Sequence, residues 1–196
     1  LLATPEQLTT VMLAPGERAD ILINFKDQPI GKEICMQSFK FSQFNVQGRQ
    51  EFKIMKFSVE QSGSDSFVLP TRLTDIASIS SGEATSVRTL SISSLVGGAG
   101  HGAGAKHGIN GMIYDNDHSA FSVSAGSTEI WEFDNMAGDE IHPMHIHGVQ
   151  FQVLSRMGGR NQVFPWEKGW KDTVMVMPKE KVSVIMTFPD YRGKFV

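Results

Sequence analysis

No segment of this chain sustains the three-to-four-residue apolar period of a helix. Apolar residues instead gather in short alternating or continuous runs, separated by Gly, Pro, Asn, Asp and Ser. The runs fall at 9–13, 20–25, 33–39, 52–61, 87–92, 120–123, 128–133, 144–154, 173–177 and 182–188. Between the first two, Ala14-Pro15-Gly16-Glu17-Arg18 places Pro and Gly where a tight turn needs them. Many short strands with turns every 8–12 residues or so predict an all-β sandwich or small barrel. A polar Gly/Ser-rich stretch at 61–65, followed by Phe67-Val68-Leu69-Pro70, predicts a domain boundary that separates 1–66 from 67–196. The segment 97–108 is almost entirely Gly, Ala and His and reads as a flexible loop.

Composition excludes more than it selects. Eighteen Lys and Arg against 21 Asp and Glu give a net charge of -3, and the basic residues are scattered, so nucleic-acid binding has no electrostatic footprint. No apolar stretch reaches the roughly 18–20 residues that cross a bilayer, so no membrane span is expected. The chain begins at Leu1 inside strand-like sequence and reads as a fragment, so the lack of a visible secretory leader does not argue against export. The one cysteine, Cys35, lies in Glu33-Ile34-Cys35-Met36-Gln37 and reads as a buried strand thiol.

The chemistry concentrates in Ile141-His142-Pro143-Met144-His145-Ile146-His147-Gly148, where three histidines fall within six apolar-flanked residues. In a strand, side chains alternate between faces, so His145 and His147 share one, separated by roughly 6.6 Å of backbone rise. Two imidazoles so placed can converge on one ion or hold two neighbouring ions. His142 lies three residues back across Pro143, out of phase with the pair, which assigns it to a separate centre. Imidazole suits copper, zinc, iron and nickel. Three satisfied, metal-free histidines are disfavoured, because several ring nitrogens would be buried in search of partners. A single zinc or iron held by the pair lacks a carboxylate at suitable spacing.

The run from His142 to Phe151 resembles the copper-ligating signature of the multicopper oxidases, the family of laccases, bilirubin oxidases and bacterial cuprous oxidases. Gly169-Trp170-Lys171-Asp172-Thr173-Val174 is similar to a further strand of that family. Asn110-Gly111 with Gly126-Ser127-Thr128-Glu129-Ile130-Trp131-Glu132 resembles the opening of its last cupredoxin domain, and Ala14 to Asp20 resembles a strand pair near the end of its middle domain. The resemblance implies a cupredoxin-like Greek-key sandwich over 67–196, preceded by the end of a second cupredoxin domain over 1–66.

It also implies that His142 ligates a type 1 copper, His145 the type 2 copper and His147 one of the type 3 pair. The family's His-Cys-His segment is expected to follow Val196, and the other trinuclear ligands to lie on an N-terminal cupredoxin domain of the same protein. The isolated chain is therefore expected to be inactive. The whole protein is expected outside the cytoplasm, in the cell envelope or beyond. It would oxidise phenols, a tetrapyrrole or metal ions by one-electron steps and reduce O2 to water.

Around this core, His101 and His107 in the Gly-rich segment are weighed as metal captors against a plain linker. Met112, Met136, Met144, Met157, Met175 and Met177 are weighed as a cuprous path against core filling. Asp139 and Glu140 precede His142 and are weighed as groups that tune its centre's potential or contact substrate against a plain solvated loop. Asp172 is expected to anchor the fold by hydrogen bonds. Two rival readings remain: a cell-envelope scaffold that has lost copper, and a single-metal β-barrel enzyme.

Overall fold

The computed structural model describes residues 1–41, 48, 50–96 and 106–195, so His101 and most of the Gly-rich segment lie outside the described residues. The chain divides into two compact units, one formed by 18–69 and the other by 1–17 together with 70–196. In the smaller unit, β1 (Glu33–Ser38) pairs antiparallel with β2 (Phe52–Ser58), and Phe25 packs on Phe57 with ring centroids 5.1 Å apart. Alternation along β1 turns Ile34 and Met36 inward and leaves Cys35 exposed, contrary to the expected buried thiol.

The larger unit holds the remaining strands: β3 (Ser86–Val96), β4 (Lys106–Ile109), β5 (Met112–Ile113), β6 (Thr128–Asp134), β7 (His142–His145), β8 (Phe151–Gly158), β9 (Trp170–Lys171), β10 (Thr173–Val176) and β11 (Glu180–Thr187). Seven of them form one sheet in the order β5-β4-β3-β6-β11-β8-β9, and β7 pairs with β10 in a separate antiparallel ribbon. Within the large sheet only β3 and β6 run parallel.

The core fills the space between sheet and ribbon. Leu90, Ile92, Trp131, Phe133, Phe151, Val182, Val184 and Met186 from the sheet meet Ile146, Val174 and Val176 from the ribbon side. Each such side chain contributes about 1.5–3 kcal/mol by leaving water. The ribbon that carries the histidines is thus fixed by its inner face.

The runs at 9–13, 20–25 and 120–123 form no strand among the described residues, although Phe121 and Val123 still pack on the core. At 120–123 the apolar spacing serves packing rather than a ladder, whereas Val11, Leu13, Ile21, Leu22 and Ile23 of the other two runs are exposed. The single run expected over 144–154 is cut in two at Gly148, whose φ of +82° is a left-handed conformation that ends the first piece. The expected turn at 14–18 is present: Glu17 N–H donates to the Ala14 carbonyl at 3.0 Å, with Gly16 at φ +87° after Pro15.

Candidate metal centre

β7 begins on His142 and ends on His145, and its register against β10 sets His142 opposite Val176 and His145 opposite Thr173. Alternation then decides the environments. His142 and Met144 are half-buried, while Pro143 and His145 are exposed on the other face. Met144 is packed against the core, which accounts for it without invoking a metal path.

His147 lies past the strand end, in the turn that Gly148 makes. Its ring still reaches His145, edge to face, with centroids 4.9 Å apart. The two rings border an open cleft of about 320 Å³, also lined by Ile146, Val149, Gln150 and Asp172. The turn itself is tied down by Tyr191, whose hydroxyl donates to the Gly148 carbonyl.

The hydrogen bonds of His145 identify its free nitrogen. Nδ1 lies 2.8 Å from the Asp172 carbonyl oxygen, which can only accept, so Nδ1 carries the proton. The Thr173 hydroxyl sits 3.0 Å from the same nitrogen and donates onward to the Asp172 side chain at 3.0 Å. Nε2 is then the nitrogen left to face a metal, the orientation a carbonyl-anchored metal-binding imidazole takes. Asp172 thus acts at this site through its main-chain carbonyl as well as its carboxylate, and the sequence reading anticipated only an anchoring role.

His142 is separated from this pair and meets other partners. Its ring packs edge to face on His107, with centroids 5.2 Å apart, and His107 Nε2 lies 3.3 Å from Glu140 Oε2. One ligand atom from each of His107, Glu140 and His142 falls within 4.8 Å of the others. Burial holds the His142 ring below the ordinary imidazole value; His107 adds to this, while Glu140 and Asp139 partly oppose it. His142 is therefore neutral near pH 7, with a lone pair to offer.

The loop between β6 and β7 is held from inside by Asn135, a fully buried residue that the sequence reading passed over. Its amide Nδ2 donates to the Glu140 carbonyl at 2.8 Å and to the Met177 carbonyl at 2.9 Å. His107, expected in a loop, stands in β4, paired with Ser94 of β3. Of the weighed methionines, Met175 and Met177 are buried, and Met112, Met136 and Met157 are exposed.

The donor chemistry fits copper. Three imidazoles, one with its Nδ1 fixed by a carbonyl, are borderline ligands suited to that metal. Two of them are adjacent and one is apart, which matches a paired centre beside a single one.

The multicopper oxidase family model matches residues 81–196. A laccase from Haloferax volcanii is 30% identical over 193 residues, covering 96% of this chain and 32% of that protein. A bilirubin oxidase from Albifimbria verrucaria is 27% identical over all of this chain and 34% of its own length. The crystal structure of the McoA multicopper oxidase from the hyperthermophile Aquifex aeolicus superposes with a TM-score of 0.80 at 29% identity, over 98% of this chain and 41% of that one. The chain therefore spans about a third to two-fifths of the length of these relatives. With an all-β, cupredoxin-like unit and a family-model match over more than half its length, the chain belongs to the multicopper oxidase family.

Proposed function

We propose that this chain is the part of a copper-dependent oxidase that carries His142 at a type 1 copper, His145 at the type 2 copper and His147 at one of the type 3 pair. The observation that carries the reading is the sorting of the histidines into an adjacent pair and a single on the other face of the strand, with His145 Nδ1 already bonded to a carbonyl. Bound copper supplies one-electron acceptance from the substrate and four-electron reduction of O2 to water. The chain's own residues orient the imidazoles, and burial helps keep His142 neutral. Core packing of the β7–β10 ribbon fixes their backbone.

The ligands not found here belong to the rest of the protein. A His-Cys-His segment would follow Val196, and an N-terminal cupredoxin domain would complete the trinuclear site. Residues 1–66 are taken as the end of a preceding cupredoxin domain and 67–196 as the last one. The chain alone would be inactive, and the whole protein would work in the cell envelope or outside the cell. No helix among the described residues is long and apolar enough to cross a membrane.

The reducing substrate is a phenol or a metal ion. The grouping of His107, Glu140 and His142 favours the metal ion, because a carboxylate and an imidazole beside His142 offer a cation a place to bind. Copper analysis and visible absorption of the full-length protein test the assignment, with O2 uptake on phenols and on ferrous or cuprous ions. The expected result is several coppers per chain, a blue band lost in His142→Ala, and O2 uptake. A colourless, copper-free protein would refute it and revive the scaffold reading; one zinc or iron per chain would favour a single-metal enzyme.

A further inference from the structure

His142 begins β7, and the β7–β10 ladder stops at its pairing with Val176. The next rung in that antiparallel register would join Ile141 to Met177. The Asn135 amide stands beside that position, bonding the Glu140 carbonyl just before β7 and the Met177 carbonyl just after β10. Both acceptors are carbonyls, so the amide orientation is fixed by its partners.

Asn135 is itself immobilised. Its N–H donates to the Glu180 carbonyl at 3.0 Å, and its carbonyl accepts from Lys179 N at 3.0 Å and Gly138 N at 3.1 Å. Its Oδ1 is buried with no hydrogen-bond partner among the described residues. A Cβ at Gly138 would overlap that oxygen, so glycine there lets the loop close over the amide. An isolated buried acceptor is costly, and the two donor bonds across the strand ends offset that cost.

We propose that Asn135 is a positioning residue for His142: its amide takes the place of the missing rung, and so sets where the His142 imidazole stands and how it meets its metal. The proposal rests on the reading of His142 as a copper ligand. His145 and His147, at the far end of the ribbon, should be indifferent to it.

The test compares Asn135→Asp and Gly138→Ala with the unmodified full-length protein. The aspartate keeps the shape and loses the donors. The alanine methyl would collide with the amide and push it off its two carbonyl partners while leaving Asn135 itself in place, and it keeps the proposal decidable where the first variant folds poorly. In the copper-free protein, ring nitrogen NMR signals of His142 are expected to shift while those of His145 and His147 stay. With copper added, affinity at the His142 centre is expected to fall about 10–100-fold, as for other groups that orient a ligand, with its blue absorption displaced. The type 2 signal should change less than about twofold.

A lower Tm with unmoved His142 signals and unchanged blue absorption would overturn the proposal, since that is what a purely structural asparagine would give. Equal movement of all three histidines would overturn it too. If the unmodified protein takes up no copper, the oxidase reading fails, and the ring signals still decide whether Asn135 places His142.

Discussion

Two polar clusters in the larger unit are built on opposite terms. Around Arg156, every charge is answered inside the protein. The guanidinium bonds both Glu167, through Nε at 3.0 Å, and Glu180, through Nη1 at 2.8 Å; Arg160 adds a second cation on Glu180 at 2.9 Å. Arg156, Glu167 and Glu180 are buried, and the remaining donors and acceptors are used on backbone, with the Met175 carbonyl taking both arginines and Glu180 accepting from Met177 N–H. Around His145 and His147, by contrast, the rings are exposed, and one nitrogen of His145 is fixed while the other stays bare. A closed cluster serves the fold, and an open one presents donors to something not made of protein. The two meet at β10, which receives the arginines on Met175 and supports His145 through Thr173.

The largest effect expected from this contrast is on stability. Arg156→Met would leave two buried carboxylates short of a cation and cost about 3–5 kcal/mol in chemical denaturation. His145→Ala, measured on copper-free protein, should stay within about 0.5 kcal/mol because its ring is exposed. Similar losses in the two variants would remove the distinction between the clusters.

Next in size is an effect on metal rather than on fold. Thr173→Val removes the hydroxyl that links His145 Nδ1 to the Asp172 carboxylate and keeps the side-chain shape. Copper affinity at the His145 centre should fall about 10–100-fold, with little change in copper-free Tm. A competition titration with a chelator measures this, and an unchanged affinity would reduce the hydroxyl to packing.

Gly148→Ala is expected to be smaller, at about 1 kcal/mol, since a non-glycine residue resists φ of +82° and its Cβ would lie 3.0 Å from the Tyr191 hydroxyl. The readout is the denaturation midpoint together with copper occupancy at His147, which that turn holds beside His145. Full occupancy with an unaltered midpoint would show that the turn does not depend on glycine.

How much of this could be read from residues alone follows from the range of the forces involved. The three-histidine segment, the all-β class and the turn at Pro15-Gly16 are local patterns, and the structure reproduces them. The segregation of His142 from the other two was also legible, because strand alternation is a local rule. Asn135 was not, since its role depends on Glu140 and Met177 meeting across a ribbon, 42 residues apart in the second case. His107 was hidden for a different reason. Its glycine-rich surroundings signal a loop, and only pairing with β3 turns the end of that segment into a strand facing His142. The strands expected at 9–13, 20–25 and 120–123 failed because apolar spacing does not report the presence of a ladder partner: the last run packs on the core without one, and the apolar residues of the first two are mostly exposed.

Between the closed and open clusters stands Glu129, buried on β6 but held by a half-exposed partner. Burial alone would raise its carboxyl, yet hydrogen bonds from Arg88 Nε at 2.6 Å and Trp131 Nε1 at 3.0 Å more than offset this and leave it below the ordinary 4.5. A carboxylate whose folded value is depressed binds protons more weakly than in the unfolded chain. Its contribution is therefore complete above pH 4.5 and is lost as pH falls from there through the lower folded value. Glu129→Gln should make copper-free stability less steep in that acid window while lowering the plateau above it. The measurement is a series of urea denaturations from neutral pH downward. Parallel curves for the two proteins would mean that Glu129 gains nothing from Arg88, and the pair would then belong with the solvent-exposed charges rather than with the Arg156 cluster.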